Sequence, residues 1–227
     1  MAAKKTSTVT INAPEFEVVE FKIVGDTPLI VHAWDEKAKR MMLEKQMGKA
    51  AKTKHEIKVP TNDFINSLYW LTEKPQNGID DADAQANFDA AIAAGAKFGF
   101  SIGGIKQSFI TGAARGGLDV RMTELRGAFF LEGNTEASNF DFAEIVGPAP
   151  VMREDMVKVG GMSKTADIRY RGEFKEWEIP LKMRINKNGK YSIEQILNCV
   201  TMGGFVTGIG EWRPERDGQF GMFHLEI

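Results

Sequence analysis

The apolar positions along this chain fall into two periods, and the periods predict its elements. Between Ser192 and Met202, Ile193, Ile196, Leu197 and Val200 stand at i, i+3, i+4 and i+7, which draws one apolar stripe along a helix. Ser192, with Gln195 three residues on, forms a capping-box pattern at its start. Looser alternation marks strands. Phe16, Val18, Phe21 and Ile23 among Glu17, Glu20 and Lys22 predict a first strand from Glu15 to Val24, carried on into residues 27–32 after a turn at Gly25-Asp26. Trp177 to Ile185 alternates as another strand, Met222 to Ile227 closes the chain as a short one, and Arg121 to Leu131 also reads as a strand.

Further helices are predicted over Asp35–Ala51, from Pro60 onward with Phe64, Leu68 and Leu71 on one face, and after Gly103. In the last, Gly112, Ala113 and Ala114 permit close packing on a sheet. Residues 74–86 and 132–144 are acidic and predicted as surface excursions. Pro148, Pro150 and the polar run from Arg153 to Thr165 imply an extended arm or loop. The expected organisation is a loose arm over residues 1–14 and one α+β domain over residues 15–227, leaving room for an inserted hairpin at about 143–172.

With 227 residues, 43% hydrophobic and 26% charged, the composition is that of an ordinary globular protein. A net charge of −2 gives no general attraction to phosphate, so any nucleic-acid site has to be local. The single Cys199 excludes an internal disulfide framework and fits a reducing cytosol. No apolar run is long enough to cross a bilayer and no signal peptide is evident, so a cytoplasmic protein without a membrane partner is expected.

Two clusters of basic residues change the picture. Lys37, Lys39, Arg40, Lys45, Lys49, Lys52, Lys54 and Lys58 form the densest run, either a solvated helical face or a phosphate-facing edge. Arg153, Lys158, Lys164, Arg169 and Arg171 surround Tyr170, which suits a single-strand-binding surface and equally a charged hairpin edge guarded against aggregation. Lys106 and Arg115 stand near the ends of the small-residue helix. Residues 203–221 carry six glycines in nineteen positions beside Trp212, Arg213 and Arg216. Such a loop lets another backbone or an anion approach closely, while its bland reading is a tight turn whose Trp212 caps the core. Of the three histidines, His32 lies near Asp35, but no second ligand pair stands at a metal spacing. With no GxSxG, CxxC, dinucleotide or P-loop pattern, no enzymatic activity, metal or cofactor is expected.

Two segments resemble the RAMP superfamily, the RNA-binding ferredoxin-like folds of CRISPR effector backbones. They are residues 101–115, a strand end leading into a helix ending small-small-Arg, and the glycine loop with Gly208, Gly210, Gly218 and Gly221. The chain is also similar to bacteriophage proteins through residues 152–156, 166–171 and 208–214. The resemblance implies a ferredoxin-like or RRM-like antiparallel sheet with helices on one face and an inserted hairpin or thumb. It further implies subunits that stack head to tail on a strand. Lys106, Arg169 and Arg171 would then touch phosphates, and Trp212 with the glycine loop would lie against the strand or the next subunit. The histidine that some members use for RNA cleavage has no obvious counterpart. The expectation is a homo-oligomer that binds single-stranded DNA or RNA without base specificity in a phage setting. The alternative is a self-assembling phage structural or interaction protein that binds no nucleic acid.

Overall fold

The computed structural model describes residues 13, 15–34, 36–48, 58–159 and 165–227. The loose arm, apart from residue 13, therefore lies outside the described residues, as do Asp35, His55, Lys164 and the basic positions 49, 52 and 54.

Four strands build the main sheet: β1 (Phe16–Gly25), β4 (Phe129–Gly133), β8 (Glu178–Asn186) and β9 (Phe223–Glu226), in the order β4-β8-β1-β9. Every neighbouring pair is antiparallel. The principal helices are α4 (Ile102–Arg115), between β1 and β4, and α6 (Ile193–Met202), between β8 and β9. That arrangement is the split β-α-β-β-α-β of ferredoxin-like folds. The expected α+β class and its ferredoxin-like sheet are thus the observed ones.

Period two explains how the sheet chooses its buried face. Phe21 and Ile23 of β1, Ile179, Leu181, Met183 and Ile185 of β8, Phe129 and Leu131 of β4, and Phe223 of β9 are all buried. They meet Ile105, Phe109 and Ala113 of α4 and Ile196, Cys199 and Val200 of α6 in one core. Helix α6 carries the complete capping box that Ser192 and Gln195 announce. It continues into a π-helical turn, Gly203–Thr207, whose start crosses α4 at Gly112. A Cβ on Gly112 would press on the Gly203 backbone, and the Ser108 hydroxyl donates to the Gly203 carbonyl at 3.0 Å. Small residues on α4 therefore pack on another helix end as well as on the sheet.

Three predicted segments differ, one of them the polar run from Arg153 expected as an extended arm or loop, whose first residues belong to a paired strand over Val151–Val159. The strand expected over Arg121–Leu131 is a helix, α5 (Met122–Ala128), followed by β4. Met, Glu, Leu and Arg favour helix, and Leu125 turns fully into the core; alternation begins only at Phe129. Residues 74–86 are not all excursion, because α3 (Asp81–Ala93) starts among them. The Asp80 side chain accepts from the Asp83 amide as its cap, and Ala84 and Phe88, four apart, bury its inner face.

Between the main strands lie β2 (Leu29–Val31), α1 (Glu36–Gln46), α2 (Pro60–Asn66) and β3 (Phe98–Ser101). Strand β3 pairs with β5 (Phe142–Ile145), so residues 142–145 belong to that ribbon. The long hairpin is β6 (Val151–Val159) with β7 (Thr165–Phe174), joined to β2 in a separate three-stranded sheet.

Candidate nucleic-acid interface

The open face of the main sheet is where RRM-like proteins present aromatic rings to bases. Here ion pairs cross it beside two half-exposed rings, Phe16 and Phe130. Lys22 reaches Glu178 at 2.9 Å and Glu226 at 3.4 Å, Lys182 reaches Glu20 at 3.3 Å, Arg184 reaches Glu132 at 2.6 Å, and His224 meets Asp26 at 2.6 Å. The lysines and the arginine are already paired with carboxylates, so the sheet face offers phosphate little.

The hairpin and the glycine loop come together on one carboxylate. Asp155 on β6 accepts from Arg153 Nε at 2.9 Å, from the Arg171 guanidinium on β7 at 2.9 Å and from the Trp212 indole N–H at 3.3 Å. Burial alone would push the Asp155 carboxyl up; the two arginine hydrogen bonds outweigh it and hold the pKa below the usual carboxylate range. Arg153 also bonds Glu173 at 3.3 Å and stacks 4.6 Å over the Phe220 ring. Trp212 sits at φ 53°, and its carbonyl accepts from the Phe220 amide at 3.0 Å. Arg171 is only 3% exposed. Arg153, Arg171 and Trp212 thus form the joint between hairpin and loop, with Arg171 buried in it and part of Trp212 still at the surface.

The remaining expected residues are dispersed. Lys106 donates to the Arg126 and Phe129 carbonyls, both at 2.8 Å, and burial lowers its pKa, so it fastens α4 to the start of β4. Arg115 and Arg213 share Glu215, at 3.2 and 2.7 Å. Gly208, Gly210 and Gly221 have positive φ, and a Cβ on Gly210 would run into the Ile30 carbonyl. Gly221 donates to the Pro28 carbonyl at 2.8 Å, and a Cβ on Gly218 would strike the Trp212 backbone. The loop's close approach is therefore to β2 and to itself.

Arg169, Tyr170 and Lys158 remain at the hairpin surface. Lys158 is exposed with no ionic partner among the described residues, and Arg169 makes only a loose 3.9 Å contact with Asp167. The two basic clusters meet here: Lys58 lies 5.3 Å over the Tyr170 ring and 3.7 Å from Asp167. A cleft of about 320 Å³ opens beside them, lined by His32, Ala33, Asp63, Asn66, Ser67, Asp167, Arg169 and Tyr170. Burial, and next the nearby Arg171 charge, lower the His32 pKa, so this imidazole is neutral at physiological pH.

Ala33 and Asn66 also line a second, larger cleft of about 470 Å³, closed by Trp34, Lys39, Leu68, Tyr69, Trp70, Lys74 and Phe142. Its described lining holds two lysines and no carboxylate. Sequence reasoning placed Tyr69 and Trp70 beside a helical stripe and missed this site. Only the density of aromatics around Pro60–Leu71 signalled it; Trp34 and Phe142 arrive from distant stretches. Among the described residues no cluster of His, Cys, Asp and Glu could hold a metal ion, and no helix is long and apolar enough to cross a membrane.

Fold and site together define a ferredoxin-like α+β protein with a hairpin clamped onto its glycine loop and a mixed aromatic and cationic trough at the hairpin root. No family model and no curated protein sequence matches the chain. Among solved structures it is similar to Cmr6 from Pyrococcus furiosus, at 11% identity over 94% of this chain and 99% of that one, with a TM-score of 0.34.

Proposed function

We propose that the protein binds single-stranded nucleic acid without base specificity, along the trough formed by the two adjoining clefts. The observation that carries this reading is the joining of the clefts through Ala33 and Asn66. Arg169 and Tyr170 stand at one end beside Asp63 and Asp167, which hold Lys58 between them, and Lys39, Lys74, Trp34 and Tyr69 stand at the other. Alternating cations and ring faces are what a flexible strand needs: the cations take phosphates and the rings take bases of any identity. A near-neutral chain confines such attraction to this trough, and Lys158 on the hairpin would extend it.

The test is charge reversal at exposed Lys74 and half-buried Arg169, Lys74→Glu with Arg169→Glu, read by anisotropy of a labelled single-stranded oligonucleotide. Neither side chain belongs to the core, so the variant keeps the wild-type unfolding transition and loses affinity at least tenfold. Unchanged affinity removes the trough from consideration.

A second reading, a self-assembling protein without nucleic acid, is favoured by one feature. Phe16, Val18 and Phe130 are about half exposed beside the neutralised sheet face, which suits protein contact better than phosphate. Stable oligomers in size exclusion combined with no strand binding would select it.

A further inference from the structure

We infer that the larger cleft is a slot for one nucleobase turned out of the strand, stacked on Trp34. This rests on the strand-binding reading and names what its aromatic half takes. The walls are already committed to one another, which makes the cleft pre-formed. Tyr69 packs on Phe142 with ring centroids 5.1 Å apart and donates its hydroxyl to the His32 carbonyl at 3.4 Å. Trp70 holds Phe98 edge-on at 4.8 Å and gives its indole N–H to the Ile65 carbonyl at 2.9 Å. Trp34 is the exception. It is 65% exposed, and no aromatic ring packs on it among the described residues. A large flat side chain left open beside a pre-formed aromatic wall has a free face for a second ring.

Polar groups around the slot suit the rest of a nucleotide. Lys74 donates to Asn66 Oδ1 at 2.7 Å, which leaves the Asn66 amide nitrogen without a partner among the described residues at the junction of the clefts and open to a base edge. Lys74, exposed at the rim, supplies positive charge for a flanking phosphate. An apolar peptide side chain would suit the rings but would gain nothing from the lysine. A single base fits both, and the volume, about 470 Å³, lies within the ~300–1,000 Å³ usual for small-ligand sites.

The experiment compares a labelled single-stranded oligonucleotide with a strand of equal length made wholly of abasic residues, each titrated into the full chain and into Trp34→Ala. The wild-type protein binds the base-bearing strand roughly tenfold more tightly than the abasic strand. In Trp34→Ala the difference disappears, because affinity for the base-bearing strand falls to that for the abasic one. Equal, salt-sensitive binding of both strands by the wild type overturns the base slot and leaves phosphate binding standing. A preference that survives in Trp34→Ala also overturns it, placing the stacking elsewhere. Binding of neither strand overturns both this inference and the reading beneath it.

Discussion

Arg171 and Asp155 are bound diagonally across the hairpin at 2.9 Å, both almost completely buried. A second arginine and an indole share the same carboxylate, so the pair is a joint between hairpin and glycine loop. Removing Arg171 leaves the buried carboxylate with Arg153 and the indole alone, one charged hydrogen bond short. Arg171→Leu is expected to lower stability by ~1.5–3 kcal/mol, whereas half-exposed Arg169→Leu stays within ~0.5 kcal/mol of wild type. Urea denaturation of both variants checks this, and equal midpoints would contradict the assignment.

The acid side of the stability curve carries two steps. His32 has a folded pKa below its unfolded one, so its contribution is complete above the unfolded value near ~6.5 and is lost as pH falls toward the folded value. Asp155 has the same sign lower down: its contribution is present above ~3.9 and is lost as pH falls through the depressed folded pKa. Stability measured from pH 8 to 3 should therefore decline in two stages. His32→Gln should abolish the upper stage alone. A single stage in the wild type contradicts the account.

Cys199 is fully buried, and burial pushes its thiol up to about 11. Iodoacetamide at pH 8 should leave the native protein unlabelled and modify it promptly in denaturant. Stoichiometric labelling of the folded chain would show that α6 does not sit as described.

Two glycines share the same backbone conformation in different surroundings. Gly117 and Gly210 both have φ near +80°, yet a Cβ at Gly117 meets open space and one at Gly210 meets the Ile30 carbonyl. Gly117→Ala should cost only the left-handed strain, ~1–2 kcal/mol. Gly210→Ala should cost more, because the bond from Glu211 to Ile30, 2.9 Å long, is displaced with it. Thermal melts of the two variants rank the costs, and a reversed order contradicts the packing of loop on β2.

Local signals were legible in the sequence. The capping box at Ser192, the alternation of β1 and β8 and the small residues of α4 all appear as read, because each is decided within a few residues of chain. Less visible was which charges are consumed internally. Arg171, Lys106 and Arg213 look alike in sequence to Lys158, but their partners Asp155, Phe129 and Glu215 are recruited by folding. Residues 122–128 misled because a short helix running directly into a strand presents mixed periods. The aromatic slot draws Trp34, Tyr69 and Phe142 from three separate stretches, so no window of the chain contains it.

The most direct measurement is the affinity of the full chain for a labelled single-stranded oligonucleotide across a salt series. With two to four lysine and arginine contacts in the trough, log affinity should fall against log salt with a slope of about −1.4 to −2.8. A slope near zero, or no binding at low salt by well-folded protein, would contradict the claim that the trough receives a nucleic-acid strand.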